Sequence, residues 1–115
     1  MVFRAVTILS MSINHITDND IVDHLVYSGA SQYDWYRVLD WDGKDVYVEM
    51  EDGEGGIVRK SFLVSQLRDV IVSIILDPVN HYGSQIMRAV VEDDFDSDDA
   101  DVVLQIATLG EVIFG

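Results

Sequence analysis

The chain has 115 residues, 49% of them apolar, and no cysteine. That is the length of one domain with enough apolar material for a core, and it excludes disulfides, thiol catalysis and thiolate metal sites. Twenty-one acidic residues against seven basic ones give a net charge of −14, which argues against direct contact with nucleic acid and favours a basic partner, a metal or a high-salt setting.

Residues 2–13 alternate, with Val2, Val6, Ile8 and Ile13 on apolar positions, and predict a first strand. One Arg and no uninterrupted apolar region argue against reading this start as a signal peptide. In "ITDNDIVDHLVYSGA", Thr17 is a cap, Asp20 follows three residues later, and Ile21, Val22, Leu25 and Val26 recur at helical spacing up to Gly29. A helix over about 18–28 follows, its first-turn acids favoured by the helix dipole.

Residues 33–64 predict a three-strand meander. Asp42–Gly43 and "DGEGG" at 52–56 are its turns, and "DVYVEME" sets Val46, Val48 and Met50 on one face. "SQLRDVIVSIILDP" reads as a buried helix capped by Ser65 and stopped near Asp77 by Pro78, although its β-branched residues suit a strand by propensity. Its apolar window Val70–Leu76 is too short to cross a bilayer. Another helix runs from about 80 or 84 to 93. In the last segment Ser97 is the expected cap, with Asp98, Asp99 and Asp101 in the solvent-facing first turn. Val102, Val103, Ile106 and Ala107 turn toward packing, and Gly110 ends the helix. The expected class is α+β: a single compact domain over 1–115, with an antiparallel sheet of about four strands and three to four helices on one face.

Two stretches resemble a known family. "YSGASQYDWYRV" (Tyr27–Val38) is similar to a GGSNYWYRI-like segment, and "DSDDADVVLQIATLGEVIFG" (Asp96–Gly115) to a DAxTADVFLQLALFGEVVYG-like C-terminus. Both belong to small proteins of tailed phages and prophages for which no reaction is established. The second match is the more specific, through Ala100, Asp101, Val102, Leu104, Gln105, Gly110, Glu111, Val112 and Gly115. Ala30 stands where the family has a second glycine, and Asp34 is inserted between Tyr33 and Trp35. The segments cover about a quarter of the chain. The resemblance implies a phage or prophage origin, hence the cytoplasm of a bacterial host, and a small compact fold.

The chain carries no HExxH, GxSxG or phosphate-loop pattern, and neither a catalytic residue nor a cofactor is assigned. Asp20 lies four residues before His24, within helical reach. Asp94, Asp96 and Asp98 fall at positions one, three and five of an EF-hand-like loop, but Asp99 stands where Gly is needed and Gln105 where Glu is needed. No metal ligand is therefore assigned, and a weak divalent-metal protein is the third-ranked expectation.

Charge density supplies the first. Glu92, Asp93, Asp94, Asp96, Asp98, Asp99 and Asp101 put seven acids in ten residues. A helix rises about 1.5 Å per residue, and DNA carries one charge per about 1.7 Å, so the densities are comparable. A second strip, Asp40, Asp42, Asp45, Glu49, Glu51, Asp52 and Glu54, follows the hairpin. Together they suggest an acidic inhibitor, a DNA mimic, that meets the basic surface of a host nucleic-acid-binding or defence protein, with no direct nucleic acid and no membrane. The alternative is a small structural or halophile-type domain whose Asp-rich, Lys-poor charge serves solvation alone. Tyr33, Trp35, Tyr36 and Trp41 are expected in the core, Trp35 and Trp41 on one strand face. An exposed aromatic face would instead allow a homo-oligomer.

Overall fold

Side-chain caps and turn residues set most element limits in the computed structural model, which describes residues 12–115. Thr17 accepts a hydrogen bond from the Asp20 amide at 3.1 Å and starts α1, Asp18–Leu25. A 3-10 turn follows at Ala30–Gln32, entered through Gly29 at φ 98°. The meander is β1 (Tyr36–Trp41), β2 (Asp45–Glu51) and β3 (Ile57–Leu63), antiparallel in the order β1-β2-β3. Three helices complete the chain: α2 (Val64–Leu76), α3 (Gly83–Val91) and α4 (Ser97–Leu109). The α+β class is therefore as expected.

The counts differ. Among the described residues the sheet has three strands, and the α segments number five once a short turn over 12–15 is included. Residues 2–11 of the expected first strand lie outside the described residues. Its last two, Ser12 and Ile13, belong to that helical turn. Arg68 of α2 holds this region, donating to the carbonyls of Ile13, at 2.6 Å, and Ile16 and pairing with Asp18 at 3.0 Å.

The segment 70–76 is helical. Val64, Leu67, Ile71 and Ile74 are buried at helical spacing, so packing overrides β-propensity. Ser65 is not its cap. The chain passes directly from β3 into the helix at Leu63, and Gln66 Oε1 reaches back to accept from the Leu63 amide at 2.8 Å.

Val46, Val48 and Met50 are buried beneath the helices, while Tyr47 points to the open face of the sheet. A bulge at Arg37 shifts the β1 register, so Tyr36, Leu39 and Trp41 oppose Met50, Val48 and Val46 on the core face. Trp35 and Trp41 do not share a strand face as expected. Trp35 precedes β1, and the bulge breaks the even spacing between them.

The central element is α4, which packs on α1, α2, α3 and β3. Every residue from Asp99 to Gln105 is buried. The described elements share one hydrophobic core. Among the described residues, no helix is long and apolar enough to cross a membrane.

Candidate functional site

The densest acidic stretch is the link from α3 to α4, and local bonds fix its path. Glu92 caps α3, Asp93 takes φ 50°, and the amides of Asp93 and Asp94 bond back to Val90 at 3.2 Å and Ala89 at 2.9 Å. This is a Schellman closure with aspartate where glycine is usual, a substitution aspartate tolerates better than most side chains. His24 Nε2 lies 2.7 Å from Asp93 Oδ1. Phe95 is buried, its ring 5.2 Å from that of His24, and pins the link to the core.

Asp96, not Ser97, then caps α4. Its carboxylate accepts from the Asp99 amide at 2.8 Å, and the Asp99 carboxylate accepts from the Asp96 amide at 3.1 Å. The reciprocal pair requires a side-chain oxygen acceptor three residues after the cap. Asp96 has one and Ser97 does not.

Glu92, Asp93, Asp94, Asp96 and Asp98 are exposed on this shoulder. Asp99 and Asp101 are not, and this corrects the expectation that the first-turn acids face solvent: they are 1% and 7% exposed. Asp99 accepts from Gln85 at 2.6 Å and from Arg88 at 3.0 Å, and Arg88 also holds Glu92 at 2.8 Å. Asp101 accepts from Trp35 Nε1 at 2.9 Å, the Tyr36 hydroxyl at 2.7 Å and Gln105 Nε2 at 2.8 Å. Burial, and next the bond to Asp101, push the Tyr36 pKa far above its ordinary value.

Gln105 carries this network to the end of the chain. Its Oε1 accepts from the Ile113 and Phe114 amides at 2.9 and 3.0 Å. The Tyr33, Trp35 and Phe114 rings stack nearly parallel, with centroids 4.8 and 5.1 Å apart, and Tyr33 donates to Asp98. The stretches 27–38 and 96–115 thus form the two halves of one clamp, in which Asp101 and Gln105 serve the fold.

The hairpin acids do not form one strip. Asp42 Oδ1 accepts from the Lys44 and Asp45 amides at 2.9 and 2.8 Å, and its Oδ2 from the Tyr47 hydroxyl at 2.9 Å. Asp52 Oδ1 accepts from the Glu54 and Gly56 amides at 2.7 and 2.9 Å. The Asp45 and Glu54 amides, respectively the largest causes, hold these two carboxyls below their ordinary pKa. Glu49 pairs with Arg59 at 3.2 Å and Glu51 with Arg37 at 3.3 Å. The turns bearing Asp42 and Asp52 lie at opposite ends of β2, about 20 Å apart at the usual strand rise.

Among the described residues, no three histidine or carboxylate groups converge as a metal-holding set. No protein-family model, curated protein or solved structure matches this chain.

Proposed function

We propose that the protein acts by binding, as a phage or prophage accessory protein whose acidic shoulder meets Lys and Arg side chains of a host nucleic-acid-binding or defence protein. The carrying observation is that exposed acids at 93, 94, 96 and 98 stand on a link fixed by a Schellman closure, a buried Phe95 and a reciprocal helix cap. Carboxylates on a fixed backbone lose less freedom on docking than those of a loose tail, and they give fast, salt-sensitive association. Of the hairpin acids, Glu54 is exposed and Asp52 half-buried, on the turn whose Gly53 borders Ile113 and Phe114 of the clamp. The ring stack links that turn through Phe114, Trp35 and Tyr33 to Asp98, whereas Asp42 and Asp45 lie at the far end of the sheet.

The test is a pull-down from bacterial host lysate with the wild-type chain and an Asp94→Asn/Asp96→Asn/Asp98→Asn variant. Asparagine still caps a helix, so the variant removes charge while keeping the start of α4. A basic protein that elutes with salt, escapes the variant and is displaced by duplex DNA supports the reading. Equal retention by wild type and variant removes the shoulder as the binding surface. Substituting Asp99 or Asp101 tests folding instead.

A further inference from the structure

The two outer strands of the sheet are guarded differently. β1 is broken by the bulge at Arg37, whereas β3 pairs with β2 in unbroken register from Ile57 to Leu63. The Asp52 amide bonds to the Gly56 carbonyl at 3.0 Å, so along that ladder Val58, Lys60 and Phe62 turn their backbone groups toward β2. Ile57, Arg59, Ser61 and Leu63 turn theirs outward. Gln66 takes the Leu63 amide, and no described backbone group takes those of Ile57, Arg59 or Ser61. Among the described strands, β3 alone carries no acid. Arg59 projects from the open sheet face and Lys60 from the helix side, and both are exposed. Glu49 engages only Nε of Arg59, at 3.2 Å, and among the described residues no carboxylate pairs with Lys60. Beside this edge, Val38, Tyr47, Glu49, Arg59 and Ser61 line an open groove of about 440 Å³.

We propose that β3 is a docking edge for an extended acidic segment of a partner protein, which adds to the sheet as a further strand. The outward backbone groups of Ile57, Arg59 and Ser61 hold its main chain, and carboxylates on its two faces pair with Arg59 and Lys60. On the open face, a long apolar side chain reaches over Ser61 to Tyr47, which is 41% exposed. Charge selects this occupant. A basic segment meets two cations. A second copy aligned antiparallel about Arg59 sets each arginine against its own kind, and like charges directly opposite are destabilising. The net charge of −14 opposes an acidic segment at long range, but at physiological salt the Debye length is only about 8 Å. Glu49 and Glu51, on the neighbouring strand, are already paired with Arg59 and Arg37.

An NMR titration of the isotope-labelled chain tests this. The probes are a short peptide of alternating Thr and Val with two adjacent central glutamates, and a control peptide with lysines in their place. The expected result is saturable shifts at the Ile57, Arg59 and Ser61 amides with the glutamate peptide and none with the lysine peptide. Lys60→Glu and Ser61→Pro are each expected to weaken binding more than about tenfold, and Lys44→Glu, beside the Asp42–Gly43 turn, to leave it unchanged. Ser61→Pro removes an outward amide and keeps both cations, and proline is tolerated on an edge strand, so it separates strand addition from charge alone. All three positions are exposed, and circular dichroism and melting check that the variants fold. A wild-type chain that binds neither peptide, or both alike, overturns the proposal. So does binding that survives Ser61→Pro, or that is lost equally in Lys44→Glu, since either reduces it to general attraction between charges. Shifts at these amides that follow chain concentration with no peptide present also overturn it, giving the edge to a second copy.

Discussion

At Asp101 a carboxylate is buried with only neutral donors, from Trp35, Tyr36 and Gln105, as its hydrogen-bond partners. Each donor would be left unsatisfied without it, so the arrangement works as a set. Tyr36→Phe removes one hydrogen-bond donor to a buried carboxyl group and is expected to cost about 2 kcal/mol in urea unfolding at neutral pH. The same substitution has a pH signature. In the folded chain Tyr36 holds its proton well above the ordinary 10.0, whereas the unfolded chain releases it there. Its contribution is therefore full below pH 10 and declines as the pH rises toward the folded value. The wild-type chain is expected to lose stability on the alkaline side with an extra slope of up to about 1.4 kcal/mol per pH unit, absent from Tyr36→Phe. Equal alkaline slopes in the two proteins would contradict the burial of this hydroxyl. Most of this was not legible along the chain: "DDAD" reads as a solvated helix start, and of the three donors to Asp101 only Gln105 is near, while Tyr36 and Trp35 lie 65 and 66 residues away.

Elements were more legible, because their signals are local. Thr17, the Asp42–Gly43 turn, Pro78 and Gly110 bound elements where turn and cap chemistry places them. The period of α2 was readable through its β-branched residues, since Leu67, Ile71 and Ile74 keep one face. What failed was competition between neighbours of equal merit. Ser97 and Asp96 both cap well, and only the partner three residues on decides between them. Asp96→Ala is expected to lower stability by about 1 kcal/mol and Ser97→Ala by a few tenths at most, measured by thermal melting of both variants. The reverse order would restore Ser97 as the cap. The bulge at Arg37 was equally hidden: nothing in "YRVLDW" marks an extra residue, yet it decides which aromatic rings enter the core.

Across the whole molecule the charge of −14 is unevenly deployed. Asp99 and Asp101 build the interior, Asp42 and Asp52 close turns, Glu49 and Glu51 pair with arginines, and the shoulder acids face solvent. With most of the charge exposed, self-repulsion opposes the compact state at low ionic strength, where the Debye length reaches about 30 Å at 0.01 M. The melting temperature is expected to rise by several degrees from low salt to about 0.15 M, where that length has fallen to about 8 Å, and then to level off. Because the core is continuous and its buried acids are fully bonded, folding at low salt is expected to persist. A chain folded only near molar salt would instead favour the halophile-type reading of the surface.

The clamp of Trp35, Tyr36, Asp101 and Gln105 also has a kinetic meaning. Its bonds close a loop of more than 60 residues, whereas both hairpins of the sheet join neighbours in the chain. Loop-closure entropy opposes the distant contact until α4 and the sheet have docked, so the clamp belongs to the late side of the folding barrier. Losing one of its bonds therefore speeds unfolding more than it slows refolding. In a stopped-flow record, the change in Trp35 emission on stacking between Tyr33 and Phe114 marks the moment the two ends of that loop are joined.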